Sequence, residues 1–211
     1  MNRASRIAAV AIAGLALFGA GLATATTVQK FSLADLAKKS ETIVLARVED
    51  ETARWDDGNK EIYTYVTLRV LDPVKGMKGN NGNANGKSAK NEETITIRQL
   101  GGTVDKMTSI VPGMPSFRRG EEVVVFLSAK DAKGYPWVVG AMQGKYTVFA
   151  DDQGLKQVRN DVDGMSTMGP DGSVADAKVA KSIPLQAFLD GIKTQLDVDG
   201  KVKVDPNPPT E

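Results

Sequence analysis

Five consecutive apolar residues, Val123-Val124-Val125-Phe126-Leu127, leave one stretch of this chain without a polar face. Valine favours extended backbone, and a strand with no polar side must be covered on both of its faces. A central strand is therefore expected over 122–128. Elsewhere the pattern is that of half-buried strands: Ile62, Val66, Leu68 and Val70 alternate with Tyr63, Tyr65, Thr67 and Arg69, a period of two. The run 43–48 is again apolar and β-branched, and Asp56-Asp57-Gly58-Asn59 supplies a hairpin turn between these two segments. Further strands are expected at 94–100, 137–140 and 145–149, with another turn at Asp151-Asp152-Gln153-Gly154.

Helical spacing occurs twice. Leu33, Leu36 and Ala37 follow Ser32, a good N-cap, which predicts a short helix over 32–39. Leu185, Phe188, Leu189, Ile192 and Leu196 form one apolar stripe and predict an amphipathic C-terminal helix over 182–197, capped by Ser182 with Pro184 in its first turn. Gly, Asn and Lys dominate 77–91, which has nothing to bury and is expected to be a flexible insertion between two strands. Residues 161–181 are expected to be a connecting loop, and the proline-rich tail 198–211 to fray. Short strands framed by two helices, without βαβ alternation, imply a mainly β fold. The expected architecture is one small antiparallel barrel over 26–160, closed or partly closed.

Chemistry is constrained by what is missing. The chain has no histidine and no cysteine, hence no imidazole base or metal ligand, no thiolate and no disulfide. Residues 1–25 have the order of a secretory signal peptide: Arg3 and Arg6, an apolar run over 7–22, then the small-residue site Ala23-Thr24-Ala25. The mature chain is expected to begin at Thr26, to be periplasmic or secreted, and to contain no span of the membrane. Two arginines leave with the leader, so the formal net charge of +1 becomes −1, which offers nucleic acid no basic surface.

The motifs that hint at catalysis or ligands fail in detail. Gly86-Lys87-Ser88 lacks the glycine five positions earlier that a phosphate loop needs, Asn81 standing there. Asp161-Val162-Asp163-Gly164 and Asp197-Val198-Asp199-Gly200 fail as calcium loops. Arg159 or Gln195 takes the first ligand position and Pro170 or Pro206 the twelfth, so both read as turns. Acidic pairs occur at Asp56-Asp57, Glu121-Glu122 and Asp151-Asp152, on turns and strand entries rather than in an aromatic cleft. No Gly-x-Ser-x-Gly elbow or Ser-x-x-Lys dyad is present. The expectation is a protein that is not an enzyme, with no catalytic residue, metal or cofactor.

Two surfaces are candidates for recognition. The connection 101–120 carries Met107, Ile110, Val111, Met114 and Phe117, which must either fold back as a lid over one barrel end or face a partner. Pro112 and Pro115 stiffen it, which lowers the entropic cost of presenting a shape. Trp55, Tyr63 and Tyr65 form a second candidate, a ligand surface for a polysaccharide or small molecule, or a set of rings that stabilises the sheet.

The strings LADLAKKSETIVLARV, YTYVTLRVLDPVKG, ETITIRQLGG, VPGMPSFRRGEEVVVFL and GAMQGKYTV, spread over 31–149, resemble a family of uncharacterised bacterial secreted proteins. More distantly, the layout resembles the inhibitory domain of the tissue inhibitors of metalloproteinases (TIMP), a netrin-like OB-fold barrel. A short N-terminal segment leads through a helix into a valine-rich strand, and a later strand closes in a Lys-Gly pair like Lys75-Gly76. That resemblance implies a TIMP-like barrel and a protein partner, a secreted zinc protease. It also implies that the N-terminal amine of Thr26 ligates zinc while Thr27 enters a specificity pocket. The family anchors its N-terminus with a disulfide, which this chain cannot form. The partner-binding set is then Thr26, Thr27, Ile110, Val111, Met114 and Phe117.

Overall fold

The computed structural model describes residues 27–77, 93–160, 162, 166–168, 172–176 and 181–201. Residues 1–26, with the expected leader and Thr26, residues 78–92 of the expected insertion, Asp161 and Asp163-Gly164, and residues from 202 onward lie outside the described residues. In chain order the elements are β1 (Thr27–Gln29), α1 (Leu33–Lys39), β2 (Thr42–Trp55), β3 (Ile62–Lys75), β4 (Thr94–Leu100), β5 (Gly102–Val104), β6 (Met107–Ser109), β7 (Glu122–Leu127), a 3-10 turn (Ala141–Gly144), β8 (Lys145–Ala150), β9 (Lys156–Asn160), β10 (Ser166–Met168), β11 (Val174–Asp176), β12 (Ile183–Pro184) and α2 (Leu185–Lys201).

The protein is mainly β, and its apolar strand lies in the middle of it. Seven antiparallel strands form one sheet in the order β12-β9-β8-β7-β2-β3-β4. Side-chain alternation sorts β2 and β7 onto two buried faces. Ile43, Leu45, Val124 and Phe126 face Leu36 and Ala37 of α1 and Leu185, Phe188, Leu189 and Ile192 of α2. On the opposite face Val44, Val48, Val123, Val125 and Leu127 meet Val66, Leu68, Ile97 and Phe117. A run with no polar side chain thus has an apolar neighbour in both directions.

β2, β3 and β4 are consecutive antiparallel neighbours, and β7 returns through the long 101–121 connection to lie beside β2. This spatial order is a Greek key. β2 and β3 are 14 residues each, and their register slips at Ile43/Val44, Leu45/Ala46 and Val48/Asp50. Such bulges bend a strand and increase its twist, which curls the β2–β3 ribbon over the second face.

The sheet does not close into a barrel: β12 and β4 are its edges. Closure stops at the segment after β7. The strand expected at 137–140 is reduced to one bridge between Leu127 and Val138. The neighbouring chain reaches β4 through a single main-chain bond, Arg98 N–H to Pro136 O at 3.3 Å. Proline has no N–H to return, so no ladder propagates along β4.

Ser32 caps α1, its Oγ accepting from Asp35 N–H at 3.1 Å while Asp35 Oδ2 accepts from Ser32 N–H at 2.9 Å. At the other end Lys75 Nζ donates to the carbonyls of Ala37 (2.8 Å) and Ser40 (2.6 Å), satisfying carbonyls that the helix leaves open. α2 differs from its expected bounds. Ile183 and Pro184 pair with Val158 and Gln157 of β9, so the helix starts at Leu185, and neither a Ser182 cap nor Pro184 in the first turn applies. It continues to Lys201, so Asp197-Val198-Asp199-Gly200 is helical rather than a turn. The connecting stretch 161–181 contains β10 and β11, which join β1 in a separate three-stranded sheet. Among the described residues no helix is long and apolar enough to cross a membrane.

Phe126 is fully buried beneath the helices, and truncation there leaves a cavity that fixed strands cannot fill. Phe126→Ala is expected to lower unfolding free energy by about 3–5 kcal/mol in urea titrations. Glu122, at the start of β7, accepts from Lys156 Nζ at 2.6 Å and Arg47 Nη2 at 2.7 Å. Bonding to Lys156 first, and then to Arg47, holds its carboxyl below the ordinary range. A lowered folded value contributes stability above the unfolded value, about pH 4.3, that is lost as pH falls through the folded one. Glu122→Gln is therefore expected to lower stability at neutral and alkaline pH, where the ionised carboxylate contributes, and to flatten the fall in stability below about pH 4.3, as read by denaturation at a series of pH values.

Candidate functional site

The 3-10 turn Ala141–Gly144 interrupts the strand that runs alongside β7: Val138 bridges Leu127 before it, and Lys145 pairs with Val125 after it. The interruption depends on its two flanking glycines. Gly140 has φ +70°, and a Cβ there would lie 2.8 Å from the Phe31 ring, while a Cβ on Gly144 would collide with the Val139 carbonyl. Ala141 is also left-handed, at φ 55°, a conformation that costs a non-glycine residue energy and is held by its surroundings.

That turn places the buried side chain of Gln143 against the N-terminal segment. Its Oε1 accepts from Phe31 N–H at 2.9 Å and its Nε2 donates to Gln29 O at 2.8 Å. The side-chain amide thus supplies the donor and acceptor that a neighbouring strand would supply. Asn160 Nδ2 holds the Gln143 carbonyl at 2.8 Å. Lys30 N–H donates to Met168 O at 3.0 Å, and β1 runs parallel to β10. Residues 27–31 are therefore docked without a covalent link. The same turn reaches the 101–120 connection, since Met142 N–H donates to Gly113 O at 2.9 Å.

One part of the connection folds back onto the sheet and another part is exposed. Pro115 and Phe117 are buried, with Gln99 Nε2 donating to Pro115 O at 2.9 Å and Lys145 Nζ lying 5.2 Å from the centroid of the Phe117 ring. Phe117 belongs to the second core face. Val111 and Met114 are half-buried. The β5–β6 hairpin projects instead, leaving Met107 60% and Ile110 83% exposed. Of the residues singled out in sequence, Thr27 lies in β1 and Thr26 outside the described residues. The turn bonds the N-terminal segment at Gln29 and Phe31 through Gln143, and the connection at Gly113 through Met142. Gln143 carries no motif.

The second aromatic surface is rearranged. Trp55 is paired with Ile62 and so lies on the opposite face of the ribbon from Tyr63, which is paired with Arg54, and from Tyr65. Tyr63 and Tyr65 instead meet Trp137 and Tyr135 edge to face, with centroids 6.2 and 5.2 Å apart. Arginines occupy their ring faces: Arg54 lies 3.6 Å from the Tyr65 centroid and Arg98 4.5 Å from that of Tyr63. Asp131 accepts from Arg98 Nη2 at 2.7 Å and from the Trp137 indole at 3.0 Å. The Tyr135 N–H, and then the indole and the Lys133 N–H, keep its carboxyl below the ordinary range.

The acidic pairs are tied to cations or turns. Glu121 accepts from Lys145 Nζ at 2.9 Å, Asp57 pairs with Lys133, and Asp56 and Asp151 accept main-chain N–H groups of their own turns. Among the described residues no three carboxylates gather as a metal site. Comparison with known proteins adds no kinship: no family profile matches the chain, and no curated protein sequence matches it.

Replacing Gln143 by leucine removes both clamp bonds and leaves Gln29 O and Phe31 N–H facing an apolar side chain. Gln143→Leu is expected to destabilise the docked N-terminal segment by about 1–3 kcal/mol. Aminopeptidase trimming of residues 27–31 should then accelerate at least tenfold while the main urea transition moves little.

Proposed function

We propose that this chain is an exported, non-catalytic binding module of OB-like architecture that engages a protein partner through the Ile110 loop and the N-terminal segment. The observation that carries this reading is Ile110, 83% exposed on a connection anchored by Phe117 and by the Met142–Gly113 bond. Burial of such a side chain by a partner is worth about 1.5–3 kcal/mol, and a rigid base keeps the entropic cost of docking low. OB-folds are partly open Greek-key barrels. The Greek key, the coiled β2–β3 ribbon and the Arg98–Pro136 bond across the seam support that architecture.

The finer reading is inhibition of a secreted zinc protease, as the resemblance to tissue inhibitors of metalloproteinases implies. It is supported by the Gln143 clamp, which restrains residues 29–31 by hydrogen bonds where that family uses a disulfide. Thr26, with its free amine after leader removal, would precede the clamp and ligate the zinc, and Thr27 would follow it into the protease. The glycan alternative lacks such support, because a sugar stacking on Tyr63 or Tyr65 would first have to displace Arg98 or Arg54.

The protein with its leader removed is expected to inhibit secreted zinc proteases in a peptide-cleavage assay. Ile110→Asp should weaken inhibition at least tenfold without a change in melting temperature, and acetylation of the N-terminal amine should abolish it. No inhibition at high micromolar concentration rejects the protease reading; full potency of Ile110→Asp rejects the surface.

A further inference from the structure

The open β4 edge of the seven-stranded sheet borders a cleft of about 720 Å³. Thr94, Ile95 and Thr96 of β4 form one wall, and Ser128, Ala129 and Lys130 form the other. We propose that this cleft is a peptide-binding site, in which one extended segment of a partner protein pairs with β4 as an added strand.

The inference rests on where the main-chain groups of β4 point. Glu93 O accepts from Val70 N–H and Gly101 N–H donates to Ile62 O, so the odd-numbered residues turn their polar groups toward β3. Arg98 N–H turns the other way, to Pro136 O. Successive strand residues alternate in direction, so Thr94 and Thr96 present N–H and C=O outward, into the cleft. Among the described residues neither has a main-chain partner on that side. Donors and acceptors repeating at every second residue complement the backbone of another extended chain.

The surroundings limit what can enter. A bare edge invites pairing with a second sheet, which proteins avoid because it leads to aggregation. Here Ser128, Ala129 and Lys130 line the same cleft as the edge, which restricts the approach of a second sheet. The volume lies within the range of ligand pockets, about 300–1,000 Å³. Exposed Glu41 and Glu93 line the end where β4 begins, and favour a segment with a basic residue at that end. None of these residues belongs to the Ile110 surface, so the two sites stand or fall separately.

The test is a titration of the 15N-labelled protein with the capped pentapeptide Lys-Val-Thr-Val-Thr, followed by amide NMR. The Thr94 and Thr96 amides should shift on binding and exchange with solvent at least tenfold more slowly. A copy of the peptide with its internal amides N-methylated should bind at least tenfold more weakly. Thr96→Pro removes an N–H aimed at the cleft while sparing the β3–β4 ladder; it should weaken binding tenfold or more, and Thr96→Val should not. If Thr96→Pro does not fold, the comparison of the two peptides decides alone. Equal binding of both peptides, no binding at millimolar concentration, or shifts confined to other surfaces would overturn the site.

Discussion

Two-sided burial of β7 is the constraint from which the rest of the structure follows. Alternation sends Val124 and Phe126 to one side of the sheet and Val123, Val125 and Leu127 to the other. Each side therefore needs its own cover. Helices α1 and α2 provide the first, and a coiled Greek key with Phe117 as plug provides the second. No disulfide is available to compensate for a poor core, so both covers have to be well packed. Burial of apolar surface at about 25 cal/mol per Å² is the dominant favourable contribution in such a chain.

The same requirement shapes the surface that carries the N-terminal segment and the 110–117 loop. The strand beside β7 has to pass from the seam, where Val138 bridges Leu127, to the face under α2, where Tyr146 packs on Phe188 with centroids 4.5 Å apart. It makes that transition through the glycine-flanked turn Ala141–Gly144. The turn in turn carries Gln143 and Met142, which fasten the N-terminal segment and the 110–117 loop. A device that solves a packing problem thus fixes the placement of two exposed segments. The unfinished pairing at Pro136 has the opposite effect, leaving the β4 edge open.

Much of the fold was legible because it is written in local periodicity. The strand bounds at 94–100 are those of the structure, and β7 ends one residue before its expected limit. β2 extends well past the expected 43–48. From Glu49 onward none of its residues is buried, and the pairing that keeps them extended comes from β3. What local pattern could not show are contacts distant in sequence. Gln143 lies 112 residues from Phe31, and an isolated glutamine between glycines carries no signal of a partner. Trp55, Tyr63 and Tyr65 are close in sequence, but strand parity puts Trp55 on the other face and a loop brings in Trp137 and Tyr135. The extension of α2 through Asp-Val-Asp-Gly shows a turn motif overridden by an established helix.

Native-state hydrogen exchange across the sheet tests the primacy of β7 most directly. Two-sided burial predicts that the main-chain amides of Val123 to Phe126 open only with global unfolding, so that their exchange free energies equal the value from urea denaturation. Edge amides in β4 and β12 should open at lower cost. If the β7 amides exchanged through local opening, with α2 or an edge strand more protected, the central role given to this strand would be contradicted.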